Sequence, residues 1–500
     1  MSRLLGLLAG GLACAGLAAC SGGSNLTPFE ESDTENIDLV IWWNQGFLPE
    51  ENAVITELLQ AWESQKERET GEDITTELIL LDHDNLLQNA VRAIELGDPP
   101  DMMFGWDAEE SGLIPQLAWE GHLANVSDLV EPLDLSSAVK QAVTYHNNQT
   151  GESSYFSVPL GQQAIYIHYW KGLLEDANLS EADVPRQWDD FWQFWQDAQL
   201  TLSSAREGER GAQDEGVYGL GLSLSDSGTD LFWAFEQFLE AYGARLINSN
   251  RELQLDNPKV REGVTKAIAQ FRDFYLNGFI PPEAVIWSDS GNNASFLNGQ
   301  LLMTVNPTLS IPLTQKLPDS AYNAPSNERY YHNITTIPWP LSPDGTYIHS
   351  IITIKQAIVF ENAQNPDRAQ DFLAFLLQPD NLSRFVLEGN KGRVLPVLES
   401  LLDSPTWSNP DDPHLYAAAR QMLGPIRPTY QVLNPAYGEV LAQNIWARAI
   451  LSTIPRQILT RNNFSEEMMG TVPPEQTPES AAIWALDRVS QIISDWEIGG

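Results

Sequence analysis

Between Ile37 and Phe104 the chain alternates two kinds of apolar pattern, and this alternation restricts the fold more than any other feature. Residues 37–43, Ile-Asp-Leu-Val-Ile-Trp-Trp, form a short β-rich run. Past Pro49 the spacing changes to three and four residues, with Val54, Leu58, Leu59 and Trp62 along one helical face. Residues 74–81 read as a second strand, Asp84 is placed to cap a helix over 86–96, and residues 100–104 read as a third strand. Repetition of strand, helix and strand builds a parallel α/β sheet whose ligand edge lies at the strand C-termini. Asn44, Gln45, Trp106 and Asp107 fall at that edge.

Further along, motifs follow in a familiar order. Leu39-Val40-Ile41-Trp42-Trp43-Asn44 and Gly97-Asp98-Pro99-Pro100-Asp101 come first. Val158-Pro159-Leu160 leads into Ile167-His168-Tyr169-Trp170-Lys171, then Val184-Pro185-Arg186-Gln187-Trp188-Asp189. Phe296-Leu297-Asn298-Gly299-Gln300-Leu301, Asn365-Pro366-Asp367-Arg368-Ala369 and Gly389-Asn390-Lys391-Gly392-Arg393-Val394-Leu395-Pro396 complete the series. Together they resemble the extracellular solute-binding proteins of ABC importers, in the maltose-binding-like, sugar-type family, over roughly residues 37–450.

The resemblance implies a two-lobed Venus-flytrap fold of the periplasmic binding proteins, with α/β lobes joined by hinge crossovers. Lobe 1 is expected over 37–158 with 347–392, and lobe 2 over 159–337 with 393–500. Residues 338–346 are the expected hinge crossover, and 389–396 the expected last passage between lobes. Prolines at 338, 340 and 343 restrict φ and suit a rigid connector.

A sugar needs directional hydrogen bonds to its hydroxyls and flat apolar surface against its C–H faces, which amide and carboxylate side chains beside aromatic rings supply. Trp42, Asn44 and Gln45 end the first strand; Trp106 and Asp107 end the third. The adjacent pair Trp42-Trp43 must split, one ring toward the cleft side and one away. By resemblance, Gln163 stands where a relative carries a ligand-binding Glu, which keeps hydrogen bonding but removes charge. Asp226 and Trp233 fall in a ligand loop of lobe 2, Tyr437 lies near an aromatic platform, and Asn306 ends the "M-T-x-N" stretch. A stacking Trp that a relative carries after that stretch is absent here, which argues against a long oligosaccharide. Trp287 and Asp289 are further cleft candidates, whereas Trp62, Trp188, Trp192 and Trp195 sit in helical patterns that suit the core.

The first twenty residues set the compartment. One Arg, an apolar run over 4–17 and Leu17-Ala18-Ala19-Cys20 resemble a bacterial lipoprotein signal, with residues 1–19 removed and Cys20 lipidated. Residues 20–36 then form a tether rich in Ser, Gly, Thr and Glu. The chain would be extracytoplasmic and anchored to the membrane without spanning it. Its two cysteines, Cys14 and Cys20, leave none for a disulfide in the folded part.

A net charge of −40 repels nucleic acid and anionic headgroups, so neither is an expected partner. No metal site or cofactor is expected: Asp82-His83-Asp84-Asn85 lacks the glycine and terminal glutamate of a calcium loop and reads as helix capping. The seven histidines show no H-E-x-x-H, and G-x-S-x-G is absent. The resemblance implies a non-enzymatic function: a monomeric receptor that delivers a sugar, polyol or similar neutral hydroxylated solute to an ABC permease. The alternatives are a secreted carbohydrate-active hydrolase, which two suitably spaced carboxylates would allow, or an envelope scaffold lipoprotein.

Overall fold

The computed structural model describes residues 37–105, 112–206, 216–248 and 250–498. The alternation in the sequence becomes the start of a first sheet. Strand β1 (Leu39–Asn44) runs parallel to β2 (Thr76–Leu81) on one side and to β3 (Met102–Gly105) on the other. Helix α1 (Pro49–Thr70) joins the first two strands, and α2 (His83–Leu96) joins the second to the third. The cap of α2 is Asp82 rather than Asp84. Its carboxylate accepts the Asn85 N–H at 2.9 Å, so the helix opens at His83, three residues earlier than expected. Gly97 ends the helix in the left-handed region at φ 76°, where a side chain would be strained.

Strands from later in the chain complete this sheet. After an antiparallel pair, β4 (Thr144–Asn147) and β5 (Glu152–Tyr155), strand β6 (Val158–Ala164) and β3 both run antiparallel to β11 (Ser350–Val359), which is parallel to β12 (Ile426–Pro428). A second sheet has the order β10 (Ile334–Ile337), β7 (Tyr166–Trp170), β9 (Leu301–Asn306), β8 (Tyr218–Gly221). Each sheet carries its own core. In the second, Trp188, Trp192 and Trp195 of α3 (Trp188–Arg206) are fully buried with α4 (Asp230–Ala241) and α5 (Pro258–Leu276). In the first, Trp62 of α1 packs edge-on against Phe372 of α6 (Pro366–Leu376) at 5.4 Å and donates its indole N–H to Asp371 at 3.0 Å. Helix α7 (Pro413–Met422) belongs to that first core, and α8 (Pro478–Ile498) closes the second.

The chain passes between the sheets three times. Ile165 alone separates β6 from β7, and its carbonyl accepts the Trp339 indole N–H and the Gln421 amide, each at 2.9 Å. Residues 338–349 return from β10 to β11, where Gln237 of α4 donates to the His349 carbonyl at 2.8 Å and accepts the Ile351 N–H at 3.1 Å. The third passage follows β12, with Tyr430 already in the second core. Residues 389–396 are not a passage. Val394, Leu395, Val397 and Leu398 are buried in the first core, and Leu395 exchanges backbone hydrogen bonds of 2.8 Å with Gln162 of β6. An apolar run adds itself to the sheet edge there.

Candidate functional site

A cavity of about 920 Å³ opens between the two sheets, at the C-terminal end of β1, the upper range for pockets that enclose a small molecule. Its wall on the first lobe is aromatic. Trp43 stacks on Phe104 at 4.3 Å, and Phe385 meets both rings edge-on at 5.9 Å. Strand alternation explains the choice within the tryptophan pair: Trp43 follows Leu39 and Ile41 onto the α1 face, while Trp42 turns to the opposite face, against the small core that holds Leu86 and Ile114. Asn44 and Gln45 follow at the strand end and line the cavity.

The wall on the second lobe is rich in hydroxyls and amides: Ser227, Ser288, Ser290, Asn293, Thr308 and Ser310. Asn306 is buried beneath it. Its amide donates to the Thr308 carbonyl at 2.8 Å and the Ser310 hydroxyl at 3.1 Å, which fixes the loop that presents both residues. Asp289 accepts the backbone N–H groups of Thr229 at 2.6 Å and Asp230 at 3.1 Å, capping α4 from the cavity wall.

Charge at the site is sparse and tied down. Glu51, Asp82 and Asp289 line the cavity together with one cation, Arg393, whose guanidinium lies 3.4 Å from Glu51. Burial raises the Glu51 carboxyl above its usual range, against the pull of Arg393. Two amide oxygens on the walls, Asn293 Oδ1 and Asn390 Oδ1, are buried with no hydrogen-bond partner among the described residues. Such acceptors await a donor from outside the protein.

The remaining sequence candidates lie elsewhere. Trp106, Asp107, Cys20, the 1–19 signal and the 20–36 tether fall outside the described residues. Gln163 is buried on β6 beside Thr353, at a passage between lobes rather than on the cavity wall. Asp226 precedes the wall residue Ser227 and accepts the Thr471 hydroxyl at 3.1 Å. Trp233 and Trp287 are buried in the second core. Tyr437 is buried too: its hydroxyl donates to Glu236, and its ring meets Tyr430 at 5.2 Å. Burial lifts Glu236 to about 6 despite Arg427; Glu240, although desolvated, is held well below the usual carboxylate range by Arg427, His349 and Arg245. Sequence reading missed Trp43, Glu51, Asn293, Phe385, Asn390 and Arg393. Strand alternation alone, with the register known, would have found the first.

Two α/β lobes, three chain passages and a part-aromatic, part-polar cavity between them define a two-lobed binding protein. Residues 65–417 match the bacterial extracellular solute-binding protein family, and the chain belongs to it. Its fold is that of an ABC transporter solute-binding protein from Thermotoga lettingae bound with α-D-tagatose (18% identity, TM-score 0.63, 91% of this chain and 99% of that one). Maltose-bound MalE3 of T. maritima is equally similar in fold (16% identity, TM-score 0.63, 91% and 99%). So is a cyclic α-maltosyl-1,6-maltose binding protein from Arthrobacter globiformis (19% identity, TM-score 0.63, 90% and 98%). No curated protein sequence matches the chain.

Proposed function

We propose that the chain is a monomeric, lipid-anchored receptor that captures a neutral hydroxylated solute, a sugar or polyol, and delivers it to an ABC importer without changing it chemically. One observation carries the solute class. The cavity sets an aromatic wall against a wall of hydroxyls and amides, with two buried amide acceptors, Asn293 Oδ1 and Asn390 Oδ1, lacking protein partners among the described residues. Sugar hydroxyls supply donors for those acceptors, and sugar C–H faces suit the rings. Three carboxylates against one guanidinium disfavour an anion, and a cation would meet carboxylates already engaged by backbone N–H groups. The solved relatives with sugars bound lend support from fold. The lobes are best divided at the passages, with residues 37–164 and 350–428 in one and 166–337 and 430–498 in the other.

Calorimetric titration of residues 25–500 against neutral mono-, di- and trisaccharides, polyols, amino acids and sugar acids tests the class. Saturable binding confined to neutral hydroxylated solutes, recovered intact, is expected. Turnover of a bound saccharide would favour a hydrolase, and no small-molecule affinity a scaffold. The anchor is tested separately by metabolic labelling with an alkyne fatty acid, where Cys20→Ser should carry no label; label retained on that variant rules the site out.

A further inference from the structure

At the mouth of the cavity stands a phenylalanine that the architecture holds out in solvent. Phe47, in the loop between β1 and α1, is 78% exposed and lines the cavity. Its position is fixed from both sides. The Gly46 N–H before it donates to Asn52 Oδ1 at 2.8 Å, and the Leu48 N–H after it donates to Glu51 Oε1 at 3.2 Å. A side chain at Gly46 would collide with Glu51, so the tight approach of loop to helix requires glycine there.

The ring is also backed. Arg393, only 9% exposed, sets its guanidinium 5.0 Å from the Phe47 centroid, and the same guanidinium pairs with Glu51, which holds the loop. Ring, guanidinium, carboxylate and loop N–H thus form a closed circuit built on a long helix and on a segment some 340 residues later in sequence. A cation on one face of an aromatic ring leaves the other face for an apolar partner. Trp43, Phe104 and Phe385 lie deep in the cavity and are nearly fully buried. An exposed ring at the mouth above an aromatic floor that is itself nearly buried, in a cavity large for one pyranose, leaves room for a second sugar ring against Phe47.

Resting on the carbohydrate reading above, we infer that Phe47 is an outer stacking platform, positioned by Arg393 and Glu51, that selects a neutral solute of at least two sugar rings over a monosaccharide. The inner ring occupies the space between Trp43 and the hydroxyl wall; the second ring covers Phe47. Arg393 and Glu51 are positioning residues in this scheme.

The test measures calorimetric affinities of wild type, Phe47→Ala, Phe47→Trp and Arg393→Met for neutral disaccharides and for their constituent monosaccharides. Because Phe47 is exposed, Phe47→Ala should fold with an unchanged melting temperature. It should weaken the best disaccharide about ten-fold while leaving the monosaccharide within about two-fold, from loss of one stacking contact. Phe47→Trp should restore the preference, and Arg393→Met should lose it in the same length-dependent way. Unchanged disaccharide affinity in Phe47→Ala overturns the inference, as does an equal loss on both ligand lengths. If wild type binds no saccharide, the carbohydrate reading falls and this inference with it; failure of Phe47→Ala alone leaves that reading standing.

Discussion

A buried acceptor with no partner is a cost that the folded protein carries alone, and at Asn293 that cost separates a binding role from a structural one. Asn293 Oδ1 has no hydrogen-bond partner among the described residues, so Asn293→Ala removes no hydrogen bond made through that atom and relieves the cost of burying it. Its melting temperature should hold or rise. Affinity for the solute should fall by about 0.5–1.5 kcal/mol, the net value of one neutral hydrogen bond. Calorimetry beside thermal melts decides: a lower melting temperature with unchanged affinity would make Asn293 structural. The residue was invisible in the sequence for a physical reason. Asn44 and Gln45 could be placed because they end a strand whose direction fixes their edge, whereas Asn293, Asn390 and Arg393 reach the cavity only through packing of the short helix Gly291–Leu297 and of the turn that follows the helical segment Phe385–Gly389. Trp43 was a nearer miss, since alternation forces the split of the pair but not its direction.

Among elements, the meeting of β7, β10 and α7 bears on pH. His168 of β7 bonds the Thr336 hydroxyl of β10 at 2.9 Å, and that hydroxyl lies 2.5 Å from His414 Nδ1 on α7, whose Nε2–H donates to the Tyr330 carbonyl at 2.8 Å. Asp412 and Lys316 face the same cluster, paired with each other at 2.6 Å. Burial pushes His168 down to about 3 and His414 to about 4, so both stay neutral in the fold. The unfolded chain protonates its histidines below about pH 6.5 while the native chain does not. Stability is therefore full above that pH and falls as pH drops toward 4, by on the order of a few kcal/mol. Denaturant melts at pH 7 and 5 should show the loss, and His414→Gln should flatten it; equal slopes in variant and wild type would discount His414. Of this cluster only the β7 segment was legible in the sequence, within the motif at residues 167–171. The contact between α7 and β10 was not, because the GxxP-like stretch at 389–396 suggested a passage to lobe 2, which would have moved α7 into the wrong core.

For the whole molecule, the question is what the three passages permit. Each is pinned by side chains: Ile165 by Trp339 and Gln421, the return at His349 and Ile351 by Gln237, and the last by Arg427 of β12, which donates to Glu240 of α4 at 2.8 Å. Pins at the passages confine deformation to the few backbone torsions between sheets, so the lobes should rotate as bodies while their cores stay intact. A solute touching both walls favours the closed arrangement only by its differential affinity for that state. The radius of gyration from X-ray scattering should therefore shrink on saturation with the best-binding saccharide, at constant far-ultraviolet circular dichroism. The folded part has no cysteine, so Glu50→Cys with Gln315→Cys, each beside a residue of its own cavity wall, reports approach without background. Disulfide formation in that pair should accelerate with saccharide and slow again when Arg427→Gln leaves Glu236 and Glu240 buried without their shared cation, loosening the last pin. A saturating saccharide that alters neither radius nor crosslinking rate would mean that the cavity binds as a fixed pocket, and that the pinned passages brace the lobes instead of guiding their closure.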